Sequence, residues 1–307
     1  MPINQHKQNE SEEKMSLELK QISKVYGKKT VLNELNLTLE EEKIYGLIGR
    51  NGAGKTTMLS IASAQNPATS GEVLLDGEKV WENRKALQDI CFSRELAATA
   101  ADNRNQSRVK EYLRIASILY PDWNAELAKE LIAEFGLDEK MKIYKLSKGM
   151  QSMVTIIVAM ASGAKYTFLD EPVTGLDVVA REAFYKVLLD EYAKGGRTFV
   201  ISTHIIEEAA SIFEEVIFIH EGKVLLKEKT DELLARTVHV SGKAEDVDAV
   251  CEGKKEYHTE TLGRSKGVTL LLEPEEVLDT KEKDVDVHTM TLQNVFVALC
   301  GKEEAHE

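Results

Sequence analysis

The chain has 307 residues, 43% of them hydrophobic, which is enough for one large domain with a smaller companion and excludes a disordered protein. Its 39 basic against 52 acidic residues give a net charge of −13, which weighs against broad, sequence-independent nucleic-acid binding, and the wide spacing of Cys91, Cys251 and Cys300 weighs against a disulfide framework or structural zinc site. No run approaches the roughly 18 consecutive apolar residues that cross a bilayer, and the opening MPINQHKQNESEEKM lacks the apolar core of a signal peptide, so a soluble chain in a reducing cytoplasm is expected.

Residues 1–15 are polar and read as a flexible tail. Leu17 and Leu19, then Leu35, Leu37 and Leu39, alternate as in half-buried strands, whereas KIYGLIG at 43–49 is the nearly continuous apolar run of a buried parallel strand. GRNGAGKTT follows at 49–57 and matches G-x-x-x-x-G-K-[ST] with Gly49, Gly54, Lys55 and Thr56. A strand before it and a helix after it place the N–H groups of Asn51, Gly52, Ala53, Gly54 and Thr57 where they can cradle phosphate oxygens. In such a loop Lys55 reaches the β- and γ-phosphates of a nucleotide such as ATP, and the Thr56 hydroxyl binds Mg²⁺. The plainer alternative is a glycine-rich turn with a surface lysine.

GEVLLDGEKV at 71–80 is an apolar stretch broken by Asp76-Gly77, a hairpin signal. The pattern then turns helical from Arg108 to Gly136: Tyr112, Ile115, Ala116 and Leu119 fit i, i+3, i+4, i+7, Pro121 breaks the run, and a second helix covers about 125–135. KLSKGMQ at 145–151 precedes a long apolar helix, with Ser147 placed as its capping side chain. Strand patterns return at YTFLD (166–170) and RTFVIST (197–203), with a helix predicted at 179–194 between them, which is βαβ order and implies a parallel sheet. Asp170 at the first strand end is the expected Mg²⁺ partner, and Glu171 can polarise an attacking water as general base.

Past residue 230 the style changes again. VHVSG, a short helix near 244–252, GVTLLLEP and TLQNVFVALCG suggest an α+β appendix, its last helix presenting Leu292, Val295, Phe296 and Leu299 on one face. No internal repeat is found.

Over about residues 17–228 the arrangement resembles the ATP-binding subunit of ABC (ATP-binding cassette) transporters, in which a P-loop core carries a helical insert ending in an L-S-G-G-Q signature. The resemblance implies an α/β P-loop NTPase core with an antiparallel β subdomain: domain 16–229, helical insert about 96–162, accessory domain 230–307. It implies that Ser147 and Gly149 cover the γ-phosphate held by the P-loop of a second subunit, the charge of Lys148 and the start of the helix adding positive potential. LSKGM departs from the signature at Lys148 and Met150, and a plain helix cap is the alternative for Ser147. By the same resemblance Tyr26 stacks on adenine, a surface or core tyrosine being the alternative; Asp177 in GLD lies at the dimer seam; and His204 in STH contacts the γ-phosphate. Glu95 takes the position of the usual Q-loop glutamine and would reach Mg²⁺ through water, with Arg94 competing for it. Integral membrane subunits and a second copy or related ATPase are the implied partners, on the cytoplasmic face of the membrane, and nucleic acid is not. The insert is where the family docks its membrane subunits; Tyr120 and Trp123 are candidate anchors or core residues.

The single cassette, LSKGM and the appendix look most like ATPases of bacterial ABC-2 type exporters, which include pumps for antimicrobial peptides and other amphiphiles. A soluble ABC ATPase acting on DNA or ribosomes, and an ATP-binding regulatory subunit, are the alternatives. The absence of a second cassette, a long coiled coil and strong basic patches speaks against the former.

Overall fold

A computed structural model describes residues 16–96, 106–281 and 283–301. The expected tail at 1–15 and part of the insert, 97–105, lie outside them.

β1 (Ser16–Tyr26) and β2 (Lys29–Glu40) pair antiparallel with Leu17 opposite Leu39 and Leu19 opposite Leu37, so the alternating leucines share one face. β3 (Ile44–Ile48) is buried along its whole length and leads through the glycine loop into α1 (Lys55–Ala62). β4 (Ser70–Leu75) and β5 (Glu78–Lys79) form the hairpin, with positive φ at both Asp76 (51°) and Gly77 (77°), as its tight turn requires. α2 (Arg84–Gln88) and β6 (Ile90–Ser93) follow.

The insert contains α3 (Val109–Leu119) and α4 (Ala125–Glu134), and α5 (Lys148–Ala161) runs from it into the core. The predicted stripe of α3 holds at Ala116, which is buried, and at Tyr112, which packs partly buried on the core, and is corrected at Ile115 and Leu119, which stand exposed with Ile118 while Val109 and Leu113 are buried. Tyr120 and Trp123 pack against the core as partly buried side chains.

β7 (Tyr166–Asp170), α6 (Val178–Ala193), β8 (Thr198–Ser202), α7 (Ile206–Ala209), β9 (Glu215–His220) and β10 (Lys223–Lys229) complete the cassette. The main sheet runs β10-β9-β3-β8-β7-β6, parallel except for β10, and a second sheet runs β2-β1-β4-β5. Between them a core of Leu17, Leu39, Tyr45, Met58, Phe168 and their neighbours closes one face of the parallel sheet. Helices close the other, which is why its strands read as continuous apolar runs. Arg197, 7% exposed, donates to the carbonyls of Ala159 and Met160 at 2.8 Å each and of Ala164 at 3.2 Å, tying the C-terminal end of α5 to the sheet.

α8 (Thr230–Arg236) joins the cassette to β11 (Thr237–Lys243), α9 (Ala244–Cys251), β12 (Glu256–Leu262), β13 (Ser265–Leu271) and β14 (Val285–Thr289), strands paired antiparallel in the order β12-β13-β11-β14. α9 covers the face bearing Val238, Val240, Val268 and Leu270. α10 (Leu292–Cys300) turns back: Leu292, Val295 and Cys300 belong to the cassette core, and Phe296 meets Phe218 edge-on, ring centres 5.3 Å apart.

Candidate functional site

The glycine loop closes around its own lysine. Gly54 takes φ 108° at the N-cap of α1, and a Cβ there would stand 2.7 Å from Leu32 Cδ2, so both backbone conformation and space call for glycine. Lys55, 7% exposed, folds back and donates to the carbonyl of Gly49 at 2.6 Å. Burial pulls the Lys55 ammonium below the ordinary lysine range, opposed by the carboxylates of Glu171 and Asp170.

β7 and β8 bring the acidic groups to the loop. Asp170 accepts from Thr56 Oγ1 at 2.6 Å through one oxygen and from Ser202 Oγ at 2.5 Å through the other, so it ties the start of α1 to the end of β8. Glu171 has φ 52°, in the left-handed region that costs a non-glycine residue about 1–3 kcal/mol, and its N–H donates to the Ser202 carbonyl at 3.0 Å. His204 Nδ1 lies 2.6 Å from Glu171 Oε2. An ionised carboxylate only accepts, so the imidazole proton sits on Nδ1.

These groups edge an open cleft of about 270 Å³ lined by Asn51, Gly52, Gly54, Lys55, Thr56, Thr57, Asp170 and Glu171. Lys29, Val31 and Arg50 also line it; the sequence reading missed them, and only the basic character of Arg50 inside the motif signalled it. Gly49 contributes a carbonyl to Lys55, and Ala53 is buried in the core beneath the loop. Ser202, which orients Asp170, was also missed, although it ends a buried strand and is the first residue of STH.

The remaining residues lie elsewhere. Tyr26 does not line the cleft; its hydroxyl accepts from Asn66 and Lys24 Nζ stands 5.0 Å from its ring centre. Ser147 caps α5 by accepting from the Met150 N–H at 3.2 Å. Asp177 caps α6 by accepting from the Ala180 N–H at 2.9 Å. Gly149 is in backbone contact with the GLD loop: a Cβ on it would stand 2.4 Å from the Gly175 carbonyl oxygen. Glu95 Oε1 stands 3.5 Å from Lys148 Nζ, so the two departures from the signature and Q-loop patterns meet each other, away from the cleft.

Gly149→Ala is therefore expected to destabilise the chain by about 1–3 kcal/mol, because backbone and not a flexible side chain must give way. Urea titration of the nucleotide-free protein checks this, and a midpoint equal to wild type would contradict the contact.

The model of the family described as "ABC transporter" matches residues 32–174. The chain is 29% identical to the ABC transporter ATP-binding protein YtrB of Bacillus subtilis (strain 168), over 71% of this chain and 73% of that protein. It is also 29% identical to the lantibiotic transport ATP-binding protein SrtF of Streptococcus pyogenes, over 70% of this chain and 91% of SrtF. Among solved structures, the dimeric post-hydrolysis ATP-binding cassette MJ0796, bound to ADP and Pi, superposes with a TM-score of 0.60 at 25% identity, covering 70% of this chain and 98% of that one. A buried P-loop lysine, a Thr–Asp pair at the strand end and a Glu–His pair beyond it thus stand in a chain whose sequence and fold both match one family. The chain carries an ABC transporter ATP-binding domain, matched over residues 32–174, and is an ATPase.

Proposed function

We propose that the chain is the motor of a membrane exporter and works as a dimer, with a second copy or a related ATPase, enclosing two ATP molecules between opposed cassettes. The observation that carries this reading is the separation of the two halves of the site: the P-loop cleft holds the phosphate-binding and acidic groups, and neither Ser147 nor Gly149 lines it. The start of α5, with the Ser147 hydroxyl, the Lys148 ammonium and the positive end of the helix dipole, then faces the γ-phosphate of the opposite chain. Asp177 sits at the seam between the two.

In this reading the loop N–H groups and Lys55 bind the phosphates, and Glu171 takes a proton from the attacking water while His204 holds its carboxylate in place. The hydroxyl of Thr56 and the carboxylate of Asp170 form a small hard-oxygen pair at the cleft wall, a donor set that suits Mg²⁺, an ion that keeps most of its water and takes one or two protein ligands. Bound there, Mg²⁺ would neutralise phosphate charge. Tyr26 would need to leave Asn66 to stack on adenine, and Glu95 would act through its pairing with Lys148.

Among the described residues no helix is long and apolar enough to cross a membrane. In this reading integral membrane subunits carry the cargo. Exposed Ile115, Ile118 and Leu119 on α3 offer an apolar patch for them on the cytoplasmic face of the membrane. The likeness to SrtF, a lantibiotic transport ATP-binding protein, supports a cargo of that kind, and export of a peptide or other amphiphile is our reading of it. Capture of a tagged Glu171→Gln chain with ATP from gently solubilised source membranes tests this. A co-purifying multi-span protein is expected, and soluble proteins, ribosomes or DNA alone would refute it.

A further inference from the structure

The appendix sheet has two unlike faces. α9 closes the valine face, whereas the opposite face carries a row of imidazoles: His288 pairs directly with His239, His239 with Thr269, and Thr269 with His258. Directly opposed residues share a face, so the three histidines stand side by side across four strands. Glu260, two residues beyond His258 on β12, shares that face. With Asn294 and Val297 of α10 these groups line a cleft of about 410 Å³ between the appendix and the helix that returns to the cassette.

His239 is the seated member of the row. Its side chain is 23% exposed, and its ring lies over Gly267, where a Cβ would stand 2.9 Å from Nε2. Its Nδ1 is 3.3 Å from the hydroxyl of buried Thr269. With the proton on Nδ1 donated to that hydroxyl, Nε2 presents a lone pair, and it faces Glu260 Oε1 at 3.6 Å. That distance is too long for a hydrogen bond. It is close to the ~3.4 Å that separates two ligand atoms on one tetrahedral zinc with bonds of about 2.1 Å. An imidazole held from behind by a hydroxyl, with a carboxylate at ligand separation in front, has the layout of a metal ligand with its outer partner.

We propose that His239, Glu260 and His258 form a binding site for a transition-metal ion of the Zn²⁺ class in this cleft. Imidazole nitrogens with one carboxylate select such ions over Mg²⁺ and Ca²⁺, which favour oxygen. In the side-chain arrangement shown, no three such groups among the described residues are placed to hold a metal ion. His258 is exposed, across Thr269 from His239, and its ring turns inward to complete the set, with water in the fourth position. The ion then lies against α10, whose far side packs Phe296 on Phe218, in β9 beside the P-loop strand β3.

Calorimetric titration of Zn²⁺ into the full-length metal-free chain, with neither nucleotide nor Mg²⁺, tests the site independently of the ATPase reading. One equivalent bound with micromolar affinity is expected for the wild type, weakened at least ~10-fold in both His239→Gln and His258→Ala. Metal-free melting curves matching wild type show that the variants remain folded. The Co²⁺-loaded chain is expected to show the visible absorption of a tetrahedral nitrogen–oxygen site, lost in both variants. No binding by the wild type, or binding that both variants retain unchanged, overturns the proposal.

Discussion

Glu171→Gln is expected to lower steady-state ATP turnover by about 10²–10⁴-fold, the range for loss of a positioned general base, while ATP affinity stays within a few fold. The amide keeps the size of the side chain, and its oxygen still accepts the proton of His204 Nδ1, now 2.6 Å away, so the strained turn and its hydrogen bonds survive. What it lacks is the basicity to take a proton from water. Phosphate release measured beside equilibrium ATP binding separates the two effects. Turnover near wild type would show that another group removes the proton.

Lys55→Ala is expected to act earlier, on binding. The ammonium is the one cation of the cleft that is folded into the loop, and charge-assisted bonds to phosphate contribute about 1.5–3 kcal/mol each, so losing it weakens ATP binding by roughly 10–100-fold or more. Lys55→Arg is not expected to restore it: a planar guanidinium does not fit a 7% exposed site that brings a compact ammonium to 2.6 Å from the Gly49 carbonyl. Equilibrium dialysis with ATP checks both variants, and wild-type affinity in Lys55→Ala would refute the role given to the loop.

The parts of the molecule most legible in the sequence are those where burial or backbone geometry dictates residue type. β3, β7 and β8 lie inside a sheet covered on both faces, so Ile44–Ile48, Tyr166–Asp170 and Thr198–Ser202 read as largely apolar runs, with Thr167, Asp170, Thr198 and Ser202 their polar positions. The meeting of Lys55, Thr56, Asp170 and Glu171 is legible for the same reason, because parallel strand ends place them at one edge of the sheet. Short elements gave less signal. α2 has five residues and β6 four, too few for a period to stand out. On α3 the apolar residues outnumber those the core can cover, so periodicity alone placed only half of the stripe: Ala116 and Tyr112 pack inward, and Ile115 and Leu119 face solvent.

Partnerships across the fold were the least legible. An apolar stripe on α10 predicts a buried face without saying what covers it, and the cassette rather than the appendix sheet does so. The contact between Glu95 and Lys148 joins residues that sequence spacing treats as unrelated, and only the fold of the insert against the core brings them within 3.5 Å. The imidazole row likewise arises from strand register: His239, His258 and His288 are scattered along the chain and share a face only through β13 and the pairing of β11 with β14. Ser147 and Asp177 illustrate the converse. Both serve as helix caps within this chain, so a local structural role and a proposed role at a dimer seam are carried by the same side chains.

The proposed site is divided between two chains, and the mass of the Glu171→Gln protein in solution tests that most directly. Light scattering coupled to size exclusion is expected to give the mass of one chain without nucleotide and of two chains with ATP and Mg²⁺, and replacing Ser147 with a bulky residue should abolish the shift. A Glu171→Gln chain that binds ATP yet keeps the mass of a single chain, with its membrane subunits present as well as absent, would contradict the divided site.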